Sequence, residues 1–488
     1  MKYLLFLIFV FCGIQTVITQ WQNEVRLTND PGYSALLDNS NARRITASGD
    51  NIHITWYEDR AADYEIYYKR STNGGTNWDS DVRLTSNSGF SLYPSIAVSG
   101  SVLHVVWQDT RDGNEEIYYQ RSTTGGTIWG AATRLTNSPG GSKYPSVSVS
   151  GSLVHVFWHD FRSGSWKIYY KRSTDGGVNW SVDTRLSDQG AAIGAEGYAS
   201  TCVNGNYVHA AWHDSRDGYF EIYYKRSIDG GNNWSADVRL SNDPQGSDVP
   251  SISASGNYVH VTWYDQRDGN SEIYYKRSSD NGDNWSTDIR LTNAPDNSFF
   301  PVIESSGNNV HIVWHDRRSG IYRPYYKHSS DHGVNWENDY VLNNEPNLAH
   351  HPFIAVSGSG VHVIWEDFRF TGPDIYYRKN PTGNNIGITM LSFETPSAFR
   401  LEQNYPNPFN PKTRIGFRIV ETGFVSLKIF DITGKQVAVL AEKDMQPGYY
   451  DFDFDAQNLG SGLYIYRLES TGKDGAKNIE SKKMILIK

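Results

Sequence analysis

An eight-residue segment that ends in tryptophan recurs six times in the chain. Its third copy reads STDGGVNW, at residues 173–180, and the six tryptophans follow one another at intervals of 51, 51, 54, 51 and 51 residues. These tryptophans are Trp78, Trp129, Trp180, Trp234, Trp285 and Trp336. A period of about 50 residues indicates an array of one supersecondary unit, in which each unit packs against its neighbours.

A second motif, His-x-x-Trp-x-Asp/Glu-x-Arg, recurs seven times with the same period. A short β-prone run such as PSIAVSG (94–100) precedes it. A run such as EIYYQRS (116–122), the eight-residue segment and a run such as TRLT (133–136) follow it. Four such runs separated by Gly, Asp and Asn predict a four-stranded antiparallel meander, whose strands we name A to D. Meanders repeated at this spacing predict a β-propeller.

The two ends of the array are incomplete in complementary ways. The last repeat reaches DIYYRKN (374–380) and then lacks strand D, whereas EVRLT (24–28) at the N-terminus is a strand D without a blade. We therefore predict an all-β fold with a seven-bladed propeller over residues 20–380, in which the N-terminal strand completes the last blade. Such closure removes an unpaired sheet edge.

The eight-residue segment is predicted to form the turn between strands C and D. Its Asp can accept hydrogen bonds from turn N–H groups, its Gly permits a positive φ, and its Trp packs between sheets. The pattern resembles the Asp-box, or bacterial neuraminidase repeat, of the sialidase superfamily. The resemblance implies that the boxes stabilise the fold on the face away from the active site. Asn73 and Thr124 replace the Asp in the first two copies.

The repeated residues of the second motif are predicted to be structural. Each of its acids has an Arg two residues later, which predicts seven ion pairs at the B–C turns. A position repeated around a ring cannot bring three histidines to one ion, so we predict buried histidines that tie one blade to the next, and neither a metal site nor a cofactor. The histidines are His53, His104, His155, His209, His260, His311 and His362.

Function is expected where the repeat symmetry breaks. The D–A connection takes 17 residues in blade 1 (Leu27 to Arg44) and 14 in blade 4 (Leu186 to Ser200), against 11 elsewhere. The residue after the motif tryptophan also varies, as Tyr57, Gln108, His159, His213, Tyr264, His315 and Glu366. An aromatic, His-rich channel mouth opposite the boxes is predicted to bind a sugar or an anion. The predicted ligand-binding residues are Arg43, Arg44, Tyr93, Tyr144, Tyr198 and His351.

Blade 1 resembles the start of sialidases beyond its box. ARRIT (42–46) is similar to their Arg-Ile-Pro signature, although Thr46 replaces the Pro. The resemblance implies that Arg44 belongs to an arginine set that binds the sialate carboxylate. It also implies an Asp acid/base, for which Asp59 and Asp63 are the candidates. The resemblance would imply a six-bladed ring, whereas the repeats predict seven blades. No Tyr/Glu nucleophile pair is recognisable in the sequence. Whether the chain is an enzyme therefore stays open.

Residues 1–19 combine an early Lys with an apolar run, which predicts a secretory signal peptide. After its removal one cysteine, Cys202, remains, so no internal disulfide is expected. The net charge of −9 and the lack of a basic stripe argue against a nucleic-acid partner. No other apolar run is long enough to cross a bilayer.

The C-terminal segment differs in composition from the repeats. Residues 381–398 are predicted to be a linker and residues 399–488 a small β-sandwich. The combination of NYPNPFNP, DITGK, SGLYIYRL and a terminal Lys resembles the type A C-terminal sorting domain of the type IX secretion system; an Ig-like binding module is the alternative. The resemblance implies contact with that secretion machinery, and a secreted location or one on the outer-membrane surface of a Gram-negative bacterium.

These patterns predict a secreted or surface-attached propeller that binds a glycan or a surface protein. The first alternative is an exo-glycosidase of the exo-α-sialidase type. The second is a purely structural surface protein, which would suit the close similarity of the blades.

Overall fold

The computed structural model of the protein describes residues 21–29, 32–36, 42–60, 63–187, 196–370, 372–381, 383, 389–392, 396–445, 447–456, 459–472 and 476–488. The expected signal peptide lies outside the described residues. Every regular element in these ranges is a β-strand, as predicted. Among the described residues there is no helix with the length and apolar character of a membrane span.

Twenty-nine short strands form the repeat array. The first are β1 (Val25–Arg26), β2 (Ser34–Ala35), β3 (Ile45–Ser48), β4 (Asn51–Glu58), β5 (Glu65–Ser71), β6 (Val82–Arg83), β7 (Ser91–Ser99), β8 (Val102–Asp109), β9 (Glu116–Ser122) and β10 (Thr133–Arg134). Next come β11 (Ser142–Ser150), β12 (Leu153–Asp160), β13 (Lys167–Ser173), β14 (Thr184–Arg185), β15 (Glu196–Asn204), β16 (Tyr207–Asp214), β17 (Glu221–Ser227), β18 (Val238–Arg239) and β19 (Ser247–Ser255). The last are β20 (Tyr258–Asp265), β21 (Glu272–Ser278), β22 (Ile289–Arg290), β23 (Ser298–Ser306), β24 (Asn309–Asp316), β25 (Arg323–Ser329), β26 (Tyr340–Val341), β27 (Ala349–Ser357), β28 (Gly360–Asp367) and β29 (Asp374–Asn380).

These strands form seven antiparallel sheets within the described ranges. Blade 1 has the order β2-β4-β5-β6, and β3 also pairs with β4. Blades 2 to 6 are the successive meanders β7–β10, β11–β14, β15–β18, β19–β22 and β23–β26. Blade 7 has the order β1-β29-β28-β27. The innermost strands β3, β7, β11, β15, β19, β23 and β27 contact one another in turn, and β27 contacts β3, so the ring is closed.

The N-terminal strand completes blade 7, as the sequence predicts. In the antiparallel pair of β1 and β29, Val25 lies opposite Tyr377. The indole of Trp21 meets the ring of Tyr326 edge-on, with centroids 5.0 Å apart. In blade 2 the box residue Trp129 meets Tyr68 in the same way at 4.9 Å. Trp21 therefore takes the place of the box tryptophan that blade 7 lacks.

The motif acid and arginine form the predicted ion pair in all seven blades. In blade 2 Asp109 accepts hydrogen bonds from Arg111 Nε (2.8 Å) and from the indole of the buried Trp107 (2.8 Å). The guanidinium also stacks on Tyr118, 4.2 Å from the ring centroid. Because the ion pair and the stacking on tyrosine recur in all seven blades, these residues hold strands B and C together.

The motif histidines have a different partner from the one predicted. In all seven blades Nδ1 lies 2.7–2.8 Å from a tyrosine hydroxyl on strand C of the same blade, as with His53 and Tyr68. The expected direct tie from blade to blade is therefore wrong, because the histidine lies too deep within its own sheet. The tyrosine makes the connection instead: Tyr68 Oη rests on Gly126 in the box of blade 2, where an added Cβ would lie 1.9 Å away.

The C-terminal segment forms two further sheets. Its strands are β30 (Thr389–Ser392), β31 (Arg400–Leu401), β32 (Lys412–Ile419), β33 (Gly423–Asp431), β34 (Gln436–Met445), β35 (Gly448–Asp455), β36 (Gly462–Gly472) and β37 (Lys477–Leu486). The sheet orders are β30-β35-β32-β31 and β34-β33-β36-β37, and both contribute to one apolar core. β30 lies inside the range predicted as a linker, so part of that segment belongs to the C-terminal sheets.

Candidate functional site

A β-bulge recurs where strand A reaches the face opposite the boxes. In blade 2 Leu92 pairs with Gln108 and Ser95 with Val106, so strand A carries one extra residue there. Tyr93, at this bulge, has a φ of 53°. The equivalent residues in other blades have φ values between 48° and 52°; they are Tyr144, Val249, Phe300 and His351. A non-glycine residue rarely adopts this conformation. Bulges of this kind re-aim a side chain, and here five of them surround the same channel mouth.

The re-aimed side chains form two chains of ring contacts around the mouth. On one side Tyr57 contacts Tyr93 (5.6 Å between centroids) and Tyr93 contacts Tyr144 (4.9 Å). On the other side Phe300 lies 5.1 Å from His315 and 5.5 Å from His351. The bulge residues Tyr93, Tyr144, Phe300 and His351 are partly exposed. The predicted aromatic and His-rich surface is therefore present on this face.

Blade 1 departs from the pattern, as its longer D–A connection suggested. Strand A is split into β2 and β3, which pair with the two ends of β4. Residues 37–41, between these strands, lie outside the described residues, and Arg43 and Arg44 come directly before β3. Arg43 Nη1 lies 2.5 Å from Glu304 Oε2 of blade 6, so this ion pair joins two blades that are not neighbours. Arg43 thus contributes to closing the channel in this structure.

Arg44 is completely buried. Its Nε donates to the carbonyl of Leu36 and its Nη1 to the carbonyl of Ala42, both at 3.3 Å. Its guanidinium carbon lies 5.6 Å from the centre of the Phe353 ring. Burial lowers the pKa of Arg44 to about 9, although nearby Tyr57 and Glu366 oppose this shift. Arg44 supports the loop that precedes it, beneath the surface of the mouth.

A compact group of titratable side chains lies beside this loop. Glu366, fully buried on β28, lies directly opposite His350 across the β27–β28 pair. Its Oε2 is 3.1 Å from Nδ1 of His350 and 3.1 Å from Nδ1 of His351. Its Oε1 accepts a hydrogen bond from the backbone N–H of Leu36. The long connection of blade 1 therefore orients the acid of blade 7.

The charges of this group follow from its surroundings. Burial alone would raise the pKa of Glu366, but the imidazoles of His351 and His350 hold it well below its usual range. Burial lowers the pKa of His351, and Glu366 only partly opposes this effect. Burial also lowers the pKa of His315 well below its ordinary value. A carboxylate between two imidazoles is a set that can accept protons, bind a sugar hydroxyl or hold a metal ion.

A second acid and histidine pair lies across the mouth. Nδ1 of His213 in blade 4 forms an ion-pair contact with Asp248 of blade 5. Tyr264 donates its hydroxyl hydrogen to the other oxygen of Asp248 at 3.0 Å. Phe220 covers His213, with ring centroids 4.6 Å apart. Blades 4 and 5 are thus joined by a polar contact at the same level as the Glu366 group.

The predicted site residues are brought together only in part. Arg44, Tyr93 and His351 lie around Glu366, and Tyr144 adjoins Tyr93. Tyr198 belongs to β15, but its side chain lies outside the described residues. Of the two acid/base candidates, Asp59 accepts a hydrogen bond from the backbone N–H of Tyr33 at 2.6 Å. Asp63 lies, partly exposed, just before β5. Their roles, and those of the ligand-binding residues, stay predictions.

Glu366 and His350 were missed as site residues, although the sequence carries a signal for both. At the position after the motif tryptophan, blade 7 alone has an acid. Two successive histidines stand at the bulge of the same blade. Strand alternation places neighbouring side chains on opposite faces, so pattern alone does not bring both histidines to Glu366. The φ of 48° at His351 does so.

Comparisons with known proteins agree with this architecture. A crystal structure of a polysaccharide lyase matches with a TM-score of 0.53 and 12% identity, over 74% of this chain and 99% of that chain. A sialidase of Trypanosoma rangeli matches with a TM-score of 0.45 and 10% identity, over 83% of this chain and 86% of that chain. An α-L-arabinofuranosidase of Fusarium graminearum matches with a TM-score of 0.44 and 14% identity, over 64% and 98%. At these identities the likeness shows the fold alone, and no curated protein sequence matches significantly.

The C-terminal sheets have a clearer relationship. Residues 403–486 match the secretion system C-terminal sorting domain family. In this segment the hydroxyl of the buried Tyr466 accepts a hydrogen bond from the N–H of Asn404 and donates one to the carbonyl of Glu402, both at 2.8 Å. The opening segment is thereby fixed to the sheet. A protein with this domain is directed out of the cell or to the outer-membrane surface. The chain is thus an all-β propeller protein whose C-terminal segment belongs to the secretion system C-terminal sorting domain family.

Proposed function

We propose that the exported propeller binds a carbohydrate at the channel mouth opposite the Asp-boxes. The partly exposed aromatic and histidine side chains at four of the bulges, Tyr93, Tyr144, Phe300 and His351, carry this proposal. Aromatic faces provide apolar contact for sugar rings, while Glu366 and the histidines offer polar partners for hydroxyl groups. The distant structural relatives named as enzymes of polysaccharides and glycosides are compatible with it, but only the fold is shared.

A glycan array probed with the mature chain tests the proposal, followed by calorimetric titration of any glycan that binds. Replacing Tyr93 or Tyr144 by Ala is expected to weaken binding about tenfold, equivalent to about 1.4 kcal/mol. Tyr207→Ala is the matched control, because Tyr207 stacks on His209 at the opposite end of the blade. Unchanged affinity in both mouth variants would exclude the mouth. If no glycan binds, a protein partner or a structural role becomes the better explanation.

A second candidate is cleavage of the glycan at the same place. It is favoured by the ionised Glu366 beside two imidazoles and the buried Arg44, because acids, bases and cations combined in a partly desolvated site suit bond cleavage. Assays with fluorogenic sialosides and with uronate polysaccharides test it. Loss of activity in Asp59→Asn or Asp63→Asn would favour the acid/base role that the sialidase resemblance implies. Loss of activity in Glu366→Gln alone would place the chemistry at Glu366, His350 and His351.

A further inference from the structure

We propose that His350, His351 and Glu366 form a three-ligand site for a divalent transition-metal ion, with Zn²⁺ as the best fit. In the described part of the chain, these are the only three His, Cys, Asp or Glu side chains placed closely enough to share one ion. Each has a ligand atom within 4.8 Å of those of the other two. Two imidazoles and one carboxylate match a ligand set of catalytic zinc sites, in which a fourth position stays open for water or substrate.

The separations of the ligand atoms fit this ion. Bonds of about 2.0–2.1 Å in tetrahedral geometry place neighbouring ligand atoms about 3.3 Å apart. Oε2 of Glu366 is 3.1 Å from Nδ1 of each histidine. Two of the three edges of the ligand triangle therefore already have the required length. Small side-chain rotations of the two imidazoles adjust the third edge.

The strand A bulge brings these three side chains together. Other blades have the same bulge, but they do not carry this set of two histidines and an acid. The bulge is common to blades 2 to 7, but in blade 7 the residue at the bulge is His351, which follows His350 directly. The two rings lie 4.1 Å apart. Blade 7 also places Glu366 opposite His350. The scaffold thus supplies the geometry, and the residues of one blade supply the ligands.

The hydrogen bonds around the group also suit a metal site. Nδ1 of His350 is buried, and Oε2 of Glu366 lies 3.1 Å from it. A cation bound by both atoms would use the nitrogen lone pair and the carboxylate charge together. The Leu36 N–H holds Oε1 of Glu366, which is the outer-shell support that metal-binding carboxylates normally have.

The proposed site uses other histidines than the seven of the motif. The sequence argument against a metal site concerned only those seven, and their structural role is unchanged. The seven motif histidines are each bonded to a tyrosine within their own blade. His350 and His351 are outside that set and lie on strand A of one blade. The inference does not depend on the proposed function, because the metal can be measured without any glycan.

The test is titration of the chelator-treated mature chain with Zn²⁺ alone, in a form without a polyhistidine tag. One ion per chain is expected, and Co²⁺ in its place should give the visible absorption of a four-coordinate site. His350→Ala and His351→Ala should each weaken binding by more than about 100-fold, since the loss of outer-shell partners alone costs about 10–100-fold. His350 is partly exposed, so this variant is expected to fold even where Glu366→Gln does not.

The matched control is His328→Ala. His328, half-buried on strand C of blade 6, forms a histidine–carboxylate pair with the exposed Glu337, with Nδ1 and Oε1 3.0 Å apart. This pair offers only two ligands, so the variant should bind Zn²⁺ as the unmodified chain does. Absence of stoichiometric binding in the unmodified chain would overturn the inference. Equal binding by His350→Ala, His351→Ala and the unmodified chain would overturn it as well. Glycan binding that persists in the presence of a chelator would leave the proposed function intact.

Discussion

Trp21 lies edge-on against Tyr326, with 5.0 Å between the ring centroids, although the two residues stand near opposite ends of the repeat array. The indole also stacks on Tyr340, at 6.0 Å. Replacing Trp21 by Ala removes this contact and leaves a cavity between blades 6 and 7. We expect the free energy of unfolding to fall by about 3–5 kcal/mol, as for other buried tryptophans. Chemical denaturation of the mature chain measures the change.

Trp180→Ala is the matched control for this variant. Trp180 makes the same edge-on contact with Tyr119, at 4.9 Å, but its blade is continuous in sequence. Both variants should lose stability, but only Trp21→Ala should increase hydrogen exchange at the N–H of Leu27, which bonds to the carbonyl of Ile375. Unchanged exchange there would mean that β1 stays in place without its tryptophan.

The box glycines offer a test of contacts between blades. An added Cβ at Gly282 would lie 2.0 Å from Oη of Tyr224 in the preceding blade, while Gly256 has open space around it. Both glycines have a positive φ. Gly256→Ala should therefore cost about 1 kcal/mol from backbone strain alone. Gly282→Ala should cost about 1–3 kcal/mol more from overpacking. Equal unfolding free energies for the two variants would show that the tyrosine contact is not tight.

Much of the fold could be predicted because the repeat constrains it. A fixed period, four β-prone runs per period and complementary ends predict the sheets and the closure through β1. The motif alternation also predicts that Asp109 and Arg111 meet. The sequence alone could not tell which of two successive strand C tyrosines bonds to the motif histidine, because the choice depends on the register of strands B and C. In the structure Thr55 pairs with Tyr68, which places Tyr68 on the same face as His53. His53 in fact bonds to Tyr68 at 2.7 Å.

The site could be predicted only in outline. Broken symmetry in the D–A connection of blade 1 directed attention to Arg44 and the mouth, whose role in binding stays a prediction. The burial of Arg44 depends on its contacts with Leu36, Ala42 and Phe353, which pattern does not specify. The meeting of His350, His351 and Glu366 depends on one backbone angle at a bulge. Such local departures from regular strand geometry leave little trace in a single sequence.

Acid should destabilise the propeller through its motif histidines. Burial lowers the pKa to about 4 in His53 and His104, and to about 3 in His155, His209, His260 and His362. An unfolded histidine titrates near 6.5. Between about pH 6.5 and 5 the unfolded chain therefore binds more protons than the folded chain, and stability falls as the pH falls. Each histidine contributes up to about 1.4 kcal/mol per pH unit.

The measurement is the free energy of unfolding at several pH values in this window, where few carboxylates titrate. His260→Phe should reduce the slope by about one proton, whatever it does to the absolute stability. A free energy of unfolding that does not change between pH 6.5 and 5 would contradict the prediction. The control is Tyr275→Phe, which removes the hydroxyl beside Nδ1 of His260 but keeps every histidine.

The sorting domain gives a prediction about export. Removing residues 399–488 deletes the segment that matches the sorting family. In a host with type IX secretion the truncated chain should accumulate in the periplasm, because it would retain only the predicted N-terminal signal. Fractionation and immunoblotting measure this, and an unchanged melting temperature of the trapped propeller would exclude misfolding. Normal release of the truncated chain into the medium would contradict the assignment of export to this domain.

Arg44 distinguishes a structural role from direct ligand binding. Its side chain is completely buried and donates to the carbonyls of Leu36 and Ala42. Arg44→Ala leaves these two acceptors without their donor, at about 1–3 kcal/mol each, and should therefore lower the free energy of unfolding by about 2–6 kcal/mol. Arg317→Ala is the control. Arg317 and Asp296 form a surface pair 3.7 Å apart in which both side chains are exposed, so its loss should cost less than about 1 kcal/mol. If Arg44→Ala instead keeps its stability and loses only glycan binding, the loop over Arg44 must open for the ligand, and the arginine would bind the ligand directly.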